Sequence, residues 1–241
     1  QNFLADQLPT DYSSAEDVLY LKHSVVDELG IALQNKNWRT AHNLINRLRD
    51  VLLECQAETI VISNEDLAGN LLGRAGTKRI YPRLSENVKL IDDALNDFLD
   101  CRFYFFVRKE EDWLRSVYLQ NLKHRSSVTG FDNFSSSIRG ERTWGSILEK
   151  VQKRLGERFT VLSFDNTMGT SAVKSFATAA LPNLKFPDET FDSYWFNRAP
   201  CALSVGVLEV INRSHASQFA KKNARLAILR ENVEQQQVLE G

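Results

Sequence analysis

The sequence predicts an α/β fold, a parallel sheet covered by helices on both faces to give three layers. Three observations predict it. Apolar runs of strand length, rich in β-branched and aromatic residues, fall near 58–62, 102–107 and 158–164. The segments before and between them repeat apolar residues every three or four positions, as a helix with one buried face does. Strands that alternate with helices are joined by crossovers, the connection that a parallel sheet requires.

Each element has its own justification. Gln1 to Leu8 reads as helix from its first residue with no cap before it, so further chain is expected to precede it. Residues 10–36 are polar with scattered apolar positions between Val18 and Leu33, expected as a loop followed by an amphipathic helix. Trp38, Ala41, Leu44, Ile45, Leu48, Val51, Leu52 and Cys55 mark a helix that covers the sheet. Thr59-Ile60-Val61-Ile62 is a short strand, which Ser63-Asn64-Glu65-Asp66-Leu67 takes through a capping residue into a helix. Glycine, arginine and lysine dominate from Gly69 to Pro82 and predict a mobile surface loop. Leu84, Val88, Ile91, Leu95, Phe98 and Leu99 form the next helical face.

Phe103-Tyr104-Phe105-Phe106-Val107 is uninterrupted and suits a strand buried on both faces, while Glu110 to Asp112 suit the positive first turn of a helix. Lys123 to Ser137 reads as a lid-like loop with a short helical turn at Phe131 and Phe134. Trp144, Ile147, Leu148, Val151 and Leu155 form a helix that Gly156 ends, ahead of the strand at 158–164. Val173, Phe176, Ala177 and Ala180 lie on a helix that stops before Pro182, and 182–200 is expected to be irregular. Ala202 to Ile211 and Ser214 to Arg230 are terminal helices, with a fraying tail from Glu231. No repeat or linker divides the chain, so residues 1–241 are expected as one domain with 214–241 as its C-terminal helix and tail.

Composition narrows the function. With 43% hydrophobic residues the 241-residue chain can bury a full core. Its 30 basic and 31 acidic residues nearly cancel, which leaves no global field for nucleic acid or an anionic membrane. No apolar run approaches the roughly 20 residues of a membrane span, and no signal peptide is visible. Cys55, Cys101 and Cys201, like His23, His42, His124 and His215, are too scattered to read as a metal set, and a reducing, cytoplasmic location is the expectation.

The candidate site is at the end of the central strand. Arg108 stands where that strand gives way to a helix, and ligands of parallel sheets bind outside the carboxyl ends of the strands. Its guanidinium is a fork suited to phosphate, and Ser116, two turns into the helix, adds a hydroxyl donor. The alternative is an arginine that serves a structural ion pair. Arg108 and Ser116, followed by Tyr118 and Gln120 in VRKEEDWLRSVYLQ, resemble the segment by which sulfotransferases hold the 3′-phosphate of 3′-phosphoadenosine 5′-phosphosulfate. The text looks like the bacterial carbohydrate-type branch of that family.

The resemblance extends to the QNFLA-like start, the ISNEDL segment at 62–67, the strand at 158–164 and Asn197 to Asn212. It implies the P-loop NTPase-like sulfotransferase fold, 3′-phosphoadenosine 5′-phosphosulfate as co-substrate without a metal, and a carbohydrate or small-molecule acceptor. It nominates Glu65 as catalytic base, and Arg198, beside Asn197, as a further donor contact. The other role open to Glu65, or to Asp66, is a first-turn acid that stabilises the helix dipole. His124 is the next candidate base. Lys123, Arg125, Arg74 and Lys78 are either acceptor contacts or solvated charges, and Trp113 and Tyr118 either stack a purine or belong to the core. Trp195 stays undecided. The family's first strand and Gly/Lys/Thr/Ser phosphosulfate loop are expected upstream of Gln1 and do not occur in this sequence, a departure that bears on activity rather than fold. A P-loop kinase would need a Walker motif, which the sequence also lacks. A non-catalytic interaction module on the same fold is the remaining class.

Overall fold

The computed structural model describes residues 18–21, 23–124, 130–138, 143–164, 170–182 and 202–238. The expected helix at 1–8 and nearly all of the segment 182–200 lie outside the described residues. The chain forms two compact units, one of Gln1–Asn70, Tyr81–Val107 and Trp144–Tyr194, the other of Leu71–Ile80, Arg108–Thr143 and Trp195–Gly241.

The first unit is α/β with parallel pairing. Strand β1 (Val18–Tyr20) leads to helices α1 (Ser24–Gln34) and α2 (Trp38–Glu54), then to β2 (Thr59–Val61), which pairs with β1 in parallel. Helix α3 (Leu84–Leu95) precedes β3 (Phe103–Val107). Helix α6 (Trp144–Leu155) precedes β4 (Phe159–Ser163), which pairs in parallel with β3 from Phe103 opposite Phe159 to Val107 opposite Ser163. Helix α7 (Thr170–Ala180) follows.

Two of the sequence expectations change here. The described strands form two separate two-stranded sheets, β1–β2 and β3–β4, rather than one continuous sheet. No residue of Phe103–Val107 is buried, and Phe106 is 36% exposed, so the aromatic run is not a strand enclosed on both faces. Its rings are nonetheless met on both sides. Phe105 packs edge-on against Tyr81 and Trp144, while Tyr104 and Phe106 meet Phe176 of α7. With one strand partner in place of two, the pleat leaves side-chain edges open that a second neighbour would cover. β1 was not expected, since three apolar residues in a polar stretch carry no alternation.

The core of this unit is where the helical periodicity puts it. Val25, Val26, Leu29 and Leu33 of α1 interdigitate with Ala41, Leu44, Ile45, Leu48 and Leu52 of α2, and Leu95 of α3 joins them. His23 and Asn37 cap the two helices, accepting from the Val25 and Thr40 amides at 3.1 and 3.2 Å. Gly156, at φ +58°, stands just past the last residue of α6 as expected.

One ion pair ties α3 to the start of β4. Asp92, 5% exposed, takes both guanidinium nitrogens of Arg158 at 2.6 and 3.2 Å, and the pairing raises the arginine's pKa further.

The second unit contains α4 (Glu110–His124), the short α5 (Phe131–Ser136), α8 (Ala202–Arg213) and α9 (Gln218–Val238). Leu71, Leu72 and Ile80 are buried, so the 69–82 segment is anchored and is not the surface loop its glycines suggest. The anchor is specific. Asn121 of α4 donates to the Leu72 carbonyl at 2.9 Å. A Cβ on Gly73 would stand 2.9 Å from the Phe134 ring at φ +82°, a position that only glycine fills without strain. Among the described residues no helix is long and apolar enough to cross a membrane.

The Asp92–Arg158 pair yields a stability prediction. Asp92→Ala removes the charged partner of a guanidinium that Asn96 still accepts from at 2.9 Å and whose side chain is 29% exposed, so the loss is expected at about 1.5–3 kcal/mol, below that of a fully buried pair. Urea unfolding checks it, through a lower midpoint at unchanged slope.

Candidate functional site

Glu65 opens a short 3-10 turn, Glu65–Ala68, which Ile62, Ser63 and Asn64 connect to β2. The expected helix here is one turn long. Asn64 caps it, accepting from the Asp66 amide at 2.8 Å, and its own amide donates to Asp27 at 2.8 Å. Asp66 is held by the side-chain amide of Gln34. The structural acid of the segment is therefore Asp66, whereas Glu65 is exposed and receives only a long hydrogen bond, 3.4 Å, from the Tyr81 hydroxyl.

Tyr81 was not singled out by the sequence, yet it is the one polar contact of Glu65 among the described residues. It is 6% exposed, stacked on Trp144 and set edge-on to Phe105, with its backbone at φ +31°. A non-glycine residue in that region stores roughly 1–3 kcal/mol of strain, which its packing must offset. The only sequence sign is its place between Ile80 and Pro82, since proline restricts the residue before it.

Arg108 follows directly on the carboxyl end of β3, and Ser116 lies on α4, exposed. Both belong to the second unit, while Glu65 belongs to the first. Arg108 is half-buried and already engaged by a neighbour, and the Ser116 hydroxyl makes no hydrogen bond among the described residues. Arg198 and Trp195, like Arg125, lie outside the described residues.

Tyr118 resolves in favour of packing. It is 3% exposed, its ring meets Phe131 and Phe134, and its hydroxyl donates to Glu209 of α8. Burial, then the carboxylate, pushes its pKa well above the ordinary phenol value. It is no platform for a base. Lys123 is half-buried, and loss of hydration lowers its pKa. Burial and then Asp92 push the Cys101 thiol up, the wrong direction for a nucleophile. No three His, Cys, Asp or Glu side chains among the described residues are placed to hold a metal.

The sequence did not flag the buried polar groups. Asn87 and Asp92 are buried in the first unit, and Asn121, Asn212, Lys221 and Arg225 in the second. Comparison with known protein families, with characterised proteins and with solved structures finds no match to this chain.

The turn that carries Glu65 can be tested through its packing. Gly30 of α1 lies so close to it that an added Cβ would stand 2.8 Å from the Asp66 Cβ. Glycine to alanine inside a helix ordinarily gains about 0.5–1 kcal/mol, but here overpacking is expected to cost about 1–3 kcal/mol. Thermal unfolding of Gly30→Ala decides the sign. A higher melting temperature would mean that the turn is free to move aside.

Proposed function

We propose that the chain is a sulfotransferase-type protein, transferring a sulfuryl group from 3′-phosphoadenosine 5′-phosphosulfate to a hydroxyl or amine of a carbohydrate or similar small acceptor. The observation that carries this reading is the junction at β3 and α4: an arginine directly past a strand's carboxyl end, then a serine exposed two turns into the next helix. Its spacing in VRKEEDWLRSVYLQ is the one that resembles the family. Arg108 would take two phosphate oxygens through its fork and Ser116 a third.

In the transfer the acceptor oxygen or nitrogen bonds to sulfur as the bond from sulfur to the bridging phosphate oxygen breaks. Adenosine 3′,5′-bisphosphate leaves with that bond's electron pair, and the acceptor's proton passes to a base. Glu65 fits the base role in two respects. It is exposed after a strand end, and the Tyr81 hydroxyl approaches one carboxylate oxygen while the other keeps its lone pairs. Asp66 holds the turn, so Glu65 is not needed for its stability.

A second reading, an interaction module without transfer chemistry, is favoured by one observation. Leu203, Val210, Phe219 and Leu226 on α8 and α9 are exposed by 77, 65, 74 and 45%.

Calorimetry with adenosine 3′,5′-bisphosphate, on the chain extended upstream by the family's phosphosulfate loop, separates these. Arg108→Ala is expected to weaken binding roughly tenfold or more and Ser116→Ala less, because hydrogen bonds to charged groups are worth about 1.5–3 kcal/mol against about 1 for neutral ones. No binding by the parent chain, or unchanged affinity in both variants, favours the interaction module. In the same extended chain, Glu65→Gln is expected to abolish sulfate transfer to a carbohydrate panel while leaving bisphosphate affinity and melting temperature intact. If turnover persists, Glu65 is not the base.

A further inference from the structure

The second unit buries two cations that no carboxylate neutralises among the described residues. Arg225 of α9 is 6% exposed and Lys221, one turn before it, 9%. Both lean on one neutral residue of α8. Arg225 Nη1 donates to Asn212 Oδ1 at 3.0 Å, and Lys221 Nζ donates to the Asn212 carbonyl at 2.9 Å. Asn212 is in turn held by the Leu122 carbonyl of α4, to which its amide donates at 3.4 Å.

Only one nitrogen of the guanidinium is used. Nε is buried with no acceptor, and Nη2 has none among the described residues. A buried charged donor without an acceptor is costly, and native proteins leave few such groups. The unpaired edge has a particular shape: Nε and Nη2 form the side-on fork that donates to two oxygens of one anion.

Further positive charge lies within electrostatic reach of Arg225. At the surface end of α4, His124 is held below the ordinary histidine range, first by loss of hydration on its inner side and then by the charges of Arg74, Lys123 and Arg225. These three come from the 71–80 segment, α4 and α9. The acid of α8, Glu209, is engaged by Tyr118 and Arg213.

We infer that the second unit holds an oxyanion site, in which the Nε–Nη2 edge of Arg225 takes two oxygens of a phosphate or sulfate group and the charges of Arg74 and Lys123 add to the positive field. The group is either a free ion or the end of an ester. The site uses neither Arg108 nor Ser116 and does not rest on the donor reading.

Thermal melting with sodium phosphate or sodium sulfate, against sodium chloride at matched ionic strength, tests it. The melting temperature is expected to rise saturably with phosphate or sulfate and not with chloride, because a ligand that binds only the folded state stabilises it by mass action. Arg225→Met is expected to lose the response. Should that variant fail to fold, Arg74→Ala, at a half-exposed position, is expected to fold normally and to need roughly tenfold more phosphate.

A bound anion also offsets the repulsion on His124, so its imidazole proton resonance is expected to titrate at higher pH with phosphate present. Arg108→Ala is expected to keep the phosphate response even where it loses adenosine 3′,5′-bisphosphate, which separates failure of this inference from failure of the donor reading. A methyl phosphate arm that saturates as phosphate does assigns an ester end, and one that does not assigns the free ion. The proposal is overturned if chloride matches phosphate in the parent chain, or if Arg74→Ala responds as the parent does.

Discussion

Phe103–Val107 and Phe159–Ser163 pair in parallel, and a parallel partner cannot be reached through a hairpin. The chain must leave at the carboxyl end of β3 and return to the amino end of β4, and everything from Arg108 to Arg158 lies in that crossover. The junction at Arg108 follows from this constraint. A helix starting three residues past the strand opens on Glu110, Glu111 and Asp112, where its dipole favours negative charge. An arginine between strand and helix thus has acidic neighbours in sequence, and Arg108 is half-buried and engaged by a neighbour.

The elements that could be read from sequence are those whose period is also their burial pattern. α2, α3 and α6 bury the residues that recur at three and four positions, and β2, β3 and β4 fall within a residue or two of their apolar runs. β1 could not be read, because three residues are too few to show alternation. The 69–82 segment was misread for another reason. Its composition is that of a loop, but Leu71, Leu72 and Ile80 are anchors whose partners, Asn121 among them, are far away in sequence.

The candidate site divides in the same way. Strand ends are visible as changes of period, so Glu65 and Arg108 could be placed. What could not be read is which polar residue is tied to a partner. Asn64, Glu65 and Asp66 look alike as first-turn residues, and only the structure separates the cap, the free carboxylate and the acid that Gln34 holds. Tyr118 shows the converse. Its phenol matches the text of a nucleotide-binding segment, yet burial against Phe131 and Phe134 and the bond to Glu209 commit it to the core.

Asn212 is the clearest case of a residue whose meaning is set by neighbours rather than by its own chemistry. A neutral amide can orient Arg225 and Lys221, but it cannot supply the charge that would offset their dehydration. A carboxylate at the same position would do both. Its absence leaves the second unit with a fixed cationic focus, and the coupling then runs in both directions. Whatever anion stabilises this focus is bound more tightly the better the helices α4, α8 and α9 are packed, and the packing of those helices is in turn secured by the anion. Replacing Asn212 by aspartate would break that coupling from within: an internal charge would hold Arg225 and Lys221 permanently, and the stability of the unit would cease to depend on the anion in solution.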